Sequence, residues 1–231
     1  MKPLSTTITE IFQLGNETCA VLELPEKFWP HPGQYLACQL KDNPTEILPM
    51  ALFKVHSKPG VLSVGPVPAH WQPGDRLDCL PPKGHGFEIP LSARNVGLLA
   101  YHVPPTRLLT LAEIIKSTKA VAALFCEPST PDDLLAVIPA DIEVSPMSAL
   151  LDNLDWPDYL AVDIHLKDIR HLADQIPPDT LRCEGQALIR TAMPCHGIAE
   201  CGVCALKTRS GWQLTCEDGP VFNLYEVLYV A

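Results

Sequence analysis

Residues 1 to about 92 alternate short apolar stretches with Pro- and Gly-containing turns. Cys19–Leu24, Gln34–Leu40, Ala51–His56 and Val61–Val64 are the strand candidates. Turn signals at this spacing predict a small all-β unit, a barrel or a sandwich. His31-Pro32-Gly33-Gln34 and Pro73-Gly74-Asp75-Arg76 read as turns feeding strands, and Pro81–Phe87 as a loop that closes the unit.

From about residue 93 to 182 the period changes. Val96–Tyr101, Ala120–Cys126, Ile142–Ser145 and Tyr159–Ile164 are continuous apolar runs, the pattern of strands buried on both faces. Thr106–Ser117 places Leu108, Leu111, Ala112 and Ile115 on one helical face, and Leu166–Gln175 does the same with Leu166, Ile169 and Leu172. Strands alternating with helices predict a parallel, Rossmann-like sheet. Residues 183–231 hold a dense cysteine run and a last apolar segment, Leu224–Val230. The expected organisation is multi-domain α+β, with units at 1–92, 93–182 and 183–231.

Composition narrows the function classes. A net charge of −10 with only 17 Lys and Arg argues against a nucleic-acid groove, which needs clustered cations. It argues equally against an anionic membrane surface. No apolar run reaches the length of a membrane span, and the first residues lack a signal-peptide core, so a cytoplasmic location is expected. Nine cysteines are an odd total, which argues against a complete disulfide framework. Cys19, Cys38, Cys79, Cys126 and Cys183 are scattered in apolar contexts and are expected to be buried free thiols.

The other four are Cys195, Cys201, Cys204 and Cys216, spaced C-x5-C-x2-C-x11-C. Crowded thiolates select zinc, copper(I) or iron–sulfur clusters. The spacing is one residue longer in its first gap than the plant-type [2Fe–2S] pattern. A zinc ribbon offers two C-x2-C knuckles where this run has one, so a [2Fe–2S] cluster is the expected occupant and zinc the rival.

The wider context carries a family resemblance. Met193-Pro194-Cys195, Gly197-Ile198, Cys201, Cys204 and Cys216-Glu217-Asp218-Gly219-Pro220-Val221-Phe222 are similar to a motif of the ferredoxin-reductase-like electron-transfer subunits of dihydroorotate dehydrogenase. The difference is one inserted residue, most simply His196, expected as an exposed loop residue. Pro32-Gly33-Gln34-Tyr35, Gly74-Asp75 and Gly84-His85-Gly86-Phe87 resemble turns of the family's first domain. The resemblance implies an N-terminal antiparallel β-barrel of FAD-binding type, a Rossmann-like NAD-binding-type domain and a C-terminal cluster domain. It places a flavin-type region at Pro49, Met50, Gly84 and Gly86. It also implies a flavoprotein catalytic subunit as partner.

Two signatures depart from that pattern. Where the family has R-P-x-S for the flavin, this chain has Leu48-Pro49-Met50-Ala51, which offers a pyrophosphate neither a cation nor a hydroxyl. Where the family has a Gly-rich dinucleotide turn, this chain has Tyr101-His102-Val103-Pro104-Pro105. Two prolines there cannot donate an N–H. FAD stays open as a second cofactor, and NAD is not expected. No Ser–His–Asp or Cys–His constellation and no Walker loop is present, so no catalytic residue is assigned. The expected function is relay of single electrons through the cluster to or from a flavoprotein dehydrogenase. The alternative is a structural or regulatory subunit that keeps the metal for folding and docking.

Overall fold

The computed structural model describes residues 3–41, 43, 48–55, 60–127 and 130–229. His56 and Val230, which end two of the predicted segments, lie outside them.

The first unit is a closed antiparallel barrel of β1 (Leu4–Leu14), β2 (Glu17–Leu22), β3 (Tyr35–Leu40), β4 (Met50–Lys54), β5 (Leu62–Gly65) and β6 (Arg76–Cys79), in the order β1-β2-β5-β4-β3-β6. Its interior is filled by Ile8, Leu22, Leu36, Leu52, Leu62, Leu77 and Trp71. Closure removes the free edges that an open six-stranded sheet would expose. The strand β1 has no counterpart among the predicted stretches. Its run of Thr, Ser and Glu hides the period, and the register shifts between Ile8 and Glu10, which breaks the alternation.

Cys38 and Cys79 correct the expectation of free thiols. They face each other across antiparallel β3 and β6, with Cα atoms 4.0 Å apart, and form a disulfide. The strand pairing that opposes them is invisible in a sequence where they lie 41 residues apart. Cys19 and Cys126 are buried free thiols, and Cys183 is a half-buried one.

The second layer is a six-stranded sheet built on β7 (Asn95–Tyr101), β8 (Val121–Cys126), β9 (Ile142–Pro146), β10 (Tyr159–His165), β11 (Glu184–Arg190) and, further on, Val221–Asn223. The five strands from β7 to β11 are mutually parallel, and the last adds antiparallel to β11. Helices α1 (Ala112–Thr118), α2 (Asp132–Leu135), α3 (Met147–Leu151) and α4 (Ile169–Gln175) connect them. Leu98, Leu108, Leu111, Tyr159 and Leu188 pack in one core cluster; Leu99, Leu160, Val162, Leu172 and Leu228 pack in another.

The predicted helix over Thr106–Ser117 opens as a 3-10 turn, Leu108–Leu111, before α1. Between β11 and Val221 the chain makes an excursion that holds the cysteine run and the hairpin β12 (Ala205–Thr208)–β13 (Gly211–Leu214). It returns as β14 (Val221–Asn223) and ends in α5 (Leu224–Leu228). The Asn223 side chain caps α5 by accepting from the Glu226 N–H at 3.2 Å. The resulting architecture is a barrel, a mixed, mainly parallel sheet with helices, and a C-terminal cysteine-bearing excursion. No helix among the described residues is long and apolar enough to cross a membrane.

Candidate metal centre

The excursion brings the four thiols together by tight turns. His196 (φ 48°), Gly197 (φ 71°) and Gly202 (φ 71°) take left-handed backbone conformations. Glycine adopts these freely, whereas a side chain makes them costly. Backbone bonds fix the loop: Ile198 N–H donates to Cys195 O at 2.8 Å, and Thr215 N–H and Oγ1 donate to Cys204 O at 3.1 and 2.9 Å.

The sulfurs form two pairs. Cys195 and Cys201 lie 3.3 Å apart, and Cys204 and Cys216 lie 3.2 Å apart. A structural zinc draws four donors onto one point, whereas a [2Fe–2S] cluster takes two thiolates on each of two irons. An all-thiolate set in two pairs fits the second. One pair is open to solvent, with Cys201 exposed and Cys195 half-buried; Cys204 and Cys216 are buried.

The electrostatics differ between the pairs. The hydrogen bond with Cys201 draws the Cys195 thiol down to about 6, aided by backbone bonds at Ala199, Gly197 and Cys201. Burial, with the neighbouring Cys204, pushes Cys216 up to about 12.

The barrel clamps this segment. Tyr35, on β3 and fully buried, donates its hydroxyl to Cys216 O at 2.8 Å. Burial raises its pKa, and the nearby Cys216, Cys204 and Cys195 raise it further. Lys83 Nζ donates to His196 O at 2.7 Å, and His85 N–H donates to Gly219 O at 2.7 Å. His196 corrects its expected exposure: it is 2% exposed, its ring lies 5.8 Å from the ring of Tyr35, and the ring has a hydrogen bond with the Pro194 backbone. Contact with a different domain buries it, which a loop sequence does not reveal. Burial lowers its proton affinity.

The flavin-type region lies differently. Met50 is 37% exposed and Leu48 53%, with Pro49 half-buried between them. A Cβ on Gly84 would meet Gly219 O at 2.5 Å, and one on Gly86 would meet Pro32 O at 2.7 Å. Both glycines therefore allow close backbone packing, Gly84 directly against the cysteine-bearing segment.

At the carboxyl ends of the parallel strands, where open α/β sheets take dinucleotides, buried side chains form an ion-pair network. Arg190 at the end of β11 forks onto Asp163 of β10, Nε–Oδ1 2.7 Å and Nη2–Oδ2 2.6 Å. Its Nη1 donates to Glu17 of the barrel at 2.7 Å, and Nη2 to Pro104 O at 3.1 Å. Thr106 donates to the other Glu17 oxygen at 2.7 Å. Arg107, buried, stacks over Phe53 of β4 with 4.0 Å from guanidinium to ring centroid. Tyr101 is fully buried and meets His171 Nδ1 at 2.9 Å. Of these, Tyr101 and Pro104 lie in the turn that the sequence marks, whereas Glu17, Arg107, Asp163 and Arg190 are not among its predicted site residues. Asp163 and Arg190 stand as lone charges inside apolar strand runs, and that was the available signal.

Comparison with known proteins agrees with the geometry. Residues 191–228 match the family model of the iron–sulfur cluster binding domain of dihydroorotate dehydrogenase B. The electron transfer subunit of dihydroorotate dehydrogenase B (NAD(+)) from Clostridium perfringens is 24% identical over 172 residues, covering 67% of each chain. Among solved structures, an NADH-dependent reduced ferredoxin–NADP oxidoreductase superposes with a TM-score of 0.75 at 17% identity, covering 96% of this chain and 89% of that one. A ferredoxin NADP+ reductase from Neisseria gonorrhoeae with bound FAD and NADP gives 0.57 at 13% identity, covering 76% and 91%. The chain thus has a ferredoxin-reductase-like fold and resembles the electron-transfer subunits of dihydroorotate dehydrogenase B, most specifically in its iron–sulfur segment.

Proposed function

We propose that this chain is an electron-transfer subunit that relays single electrons through a [2Fe–2S] cluster to or from a flavoprotein dehydrogenase of the dihydroorotate type. The observation that carries the reading is the pairing of the four thiols at 3.3 and 3.2 Å inside a segment that matches an iron–sulfur domain. Cys195 and Cys201 would hold one iron, and Cys204 and Cys216 the other. When bound, such a cluster accepts and releases one electron at a time.

The protein's own residues do the rest. Tyr35 and Lys83 tie the ligand loop to the rigid barrel, which limits reorganisation when charge changes. The exposed side of the centre carries Ile198 (68% exposed) and Val203 (55%) beside Cys201, an apolar rim suited to a docking protein. A flavoprotein catalytic subunit is the partner in this proposal, and the cytoplasm is its place. The three units 1–92, 93–182 and 183–231 then serve as clamp, closed crevice and redox centre.

The test is anaerobic purification followed by iron and zinc analysis, a visible spectrum with and without dithionite, and chromatography of released flavin. About two irons per chain, as a binuclear cluster requires, with absorption that bleaches on reduction, is the expected result. Stoichiometric FAD would make the chain a fuller reductase. Zinc without iron would sink the relay and leave the structural subunit, a reading that the self-filled crevice also suits.

A further inference from the structure

Lys83 stands on the barrel side of the ligand loop. Its backbone exchanges two hydrogen bonds with Tyr35 of β3: its N–H donates to Tyr35 O at 2.9 Å, and its O accepts from Tyr35 N–H at 3.2 Å. From that fixed point the half-buried side chain crosses to the cysteine segment, where Nζ donates to His196 O at 2.7 Å. The acceptor belongs to the peptide that joins His196 to Gly197. That peptide is trans, so its C=O and N–H point in opposite directions. The ammonium sits on the C=O side. On the other side the Gly197 backbone bonds toward both Cys195 and Cys216 and favours the thiolate of each. Gly197 itself lies between the two regions: a Cβ there would be 3.5 Å from Cys216 O and 4.0 Å from Lys83 Nζ. One peptide thus has a cation at its oxygen and ligand sulfurs, one from each thiol pair, at its N–H.

We propose that Lys83 is a positioning residue whose ammonium, acting through the His196–Gly197 peptide, strengthens the Gly197 N–H as a donor to the sulfurs of Cys195 and Cys216 and so raises the reduction potential of the cluster. This inference rests on the cluster reading above. Linked hydrogen bonds polarise one another, and a charged donor at the carbonyl polarises the peptide more than a neutral one. Reduction adds one negative charge to the cluster, and hydrogen bonds to its sulfurs favour the reduced form. A residue of the barrel would thus tune the centre with no ligand changed.

The experiment is a redox titration of the iron-loaded full chain and of three variants. Lys83→Met removes the donor and the charge, and Lys83→Gln keeps an N–H donor without the charge. Each should lower the reduction equilibrium constant about tenfold, a shift of about 59 mV to more negative potential for one electron. Lys83→Arg keeps the cation and should recover most of that shift. A tether without an electrostatic part would leave the potential of the loaded variants unmoved, so Lys83→Met or Lys83→Gln at the wild-type potential overturns the proposal. Lys83→Arg as low as Lys83→Met also overturns it. Loss of iron loading in all three variants would make Lys83 a folding residue and overturn it as well. Wild-type protein without iron would instead refute the cluster reading itself, so the two failures are distinct.

Discussion

In the strand-end crevice Arg190 binds Asp163, Glu17 and the Pro104 carbonyl, while in the cysteine segment the sulfurs stand in two pairs, Cys195 with Cys201 and Cys204 with Cys216. Both regions are polar clusters at the junction of barrel and sheet. One neutralises its charges internally, and the other gathers four soft donors. A polar cluster whose charges are neutralised by its own fork-like hydrogen bonds has little left to offer a ligand. A cluster of soft thiolate donors suits a metal. The same ferredoxin-reductase-like frame thus carries a closed crevice and an open centre.

The contrast can be broken most severely at the open centre. Replacing Cys204 by Ser should abolish iron loading and the visible chromophore, read by iron analysis, while far-ultraviolet circular dichroism keeps the barrel and sheet signal. If iron stays at the wild-type level, the thiol pairs are not the ligands.

At the closed crevice the loss should be one of stability. Arg190→Ala leaves Asp163, fully buried, and Glu17 without their cation. Breaking a buried ion pair in this way costs about 3–5 kcal/mol, to be read from urea unfolding. Iron loading in the surviving folded fraction should be unaffected, which would separate the two regions.

The pH dependence of stability is a finer probe of the crevice. Burial alone would raise the Glu17 carboxyl, but Arg190 and Arg107, with hydrogen bonds from Thr106 and Arg190, bring its net pKa below 4.5. A lowered folded pKa contributes stability that is present above 4.5 and lost as pH falls through the folded value. The urea midpoint should therefore drop on acidification below about pH 4.5, and Glu17→Gln should flatten that drop. An equal acid slope in both proteins would mean that Glu17 is not the group responsible.

The smallest expected effect is at the clamp. Tyr35→Phe removes the hydroxyl bond to Cys216 O, worth about 1 kcal/mol. Iron should load but leave faster to a chelator than in the wild type. An unchanged release rate would show that the barrel does not steady the ligand loop.

The predicted segments and the observed elements coincide where burial is uniform. The apolar runs at Val96–Tyr101, Ala120–Cys126 and Tyr159–Ile164 are strands of the parallel sheet, because a strand covered on both faces needs no polar alternation. β1 has no predicted counterpart for the opposite reason, its Thr-rich, bulged course having no clean period. The apolar tail from Leu224 became a helix because Asn223 caps it, a signal that was present in the sequence as Asn followed by Glu three residues later.

The sequence by itself determined the thiol donor set and its spacing, the missing cation and hydroxyl at Leu48–Ala51, and the loss of glycines after β7. Those are properties of residue identity and of near neighbours. Only the tertiary structure decided that Cys38 faces Cys79, that Arg190 reaches a glutamate 173 residues away, that the sulfurs gather as two pairs, and that His196 is buried under the barrel. The physical reason is common to all four. Each depends on which surfaces the folded chain presses together, and residues distant in sequence leave no local pattern that records the contact.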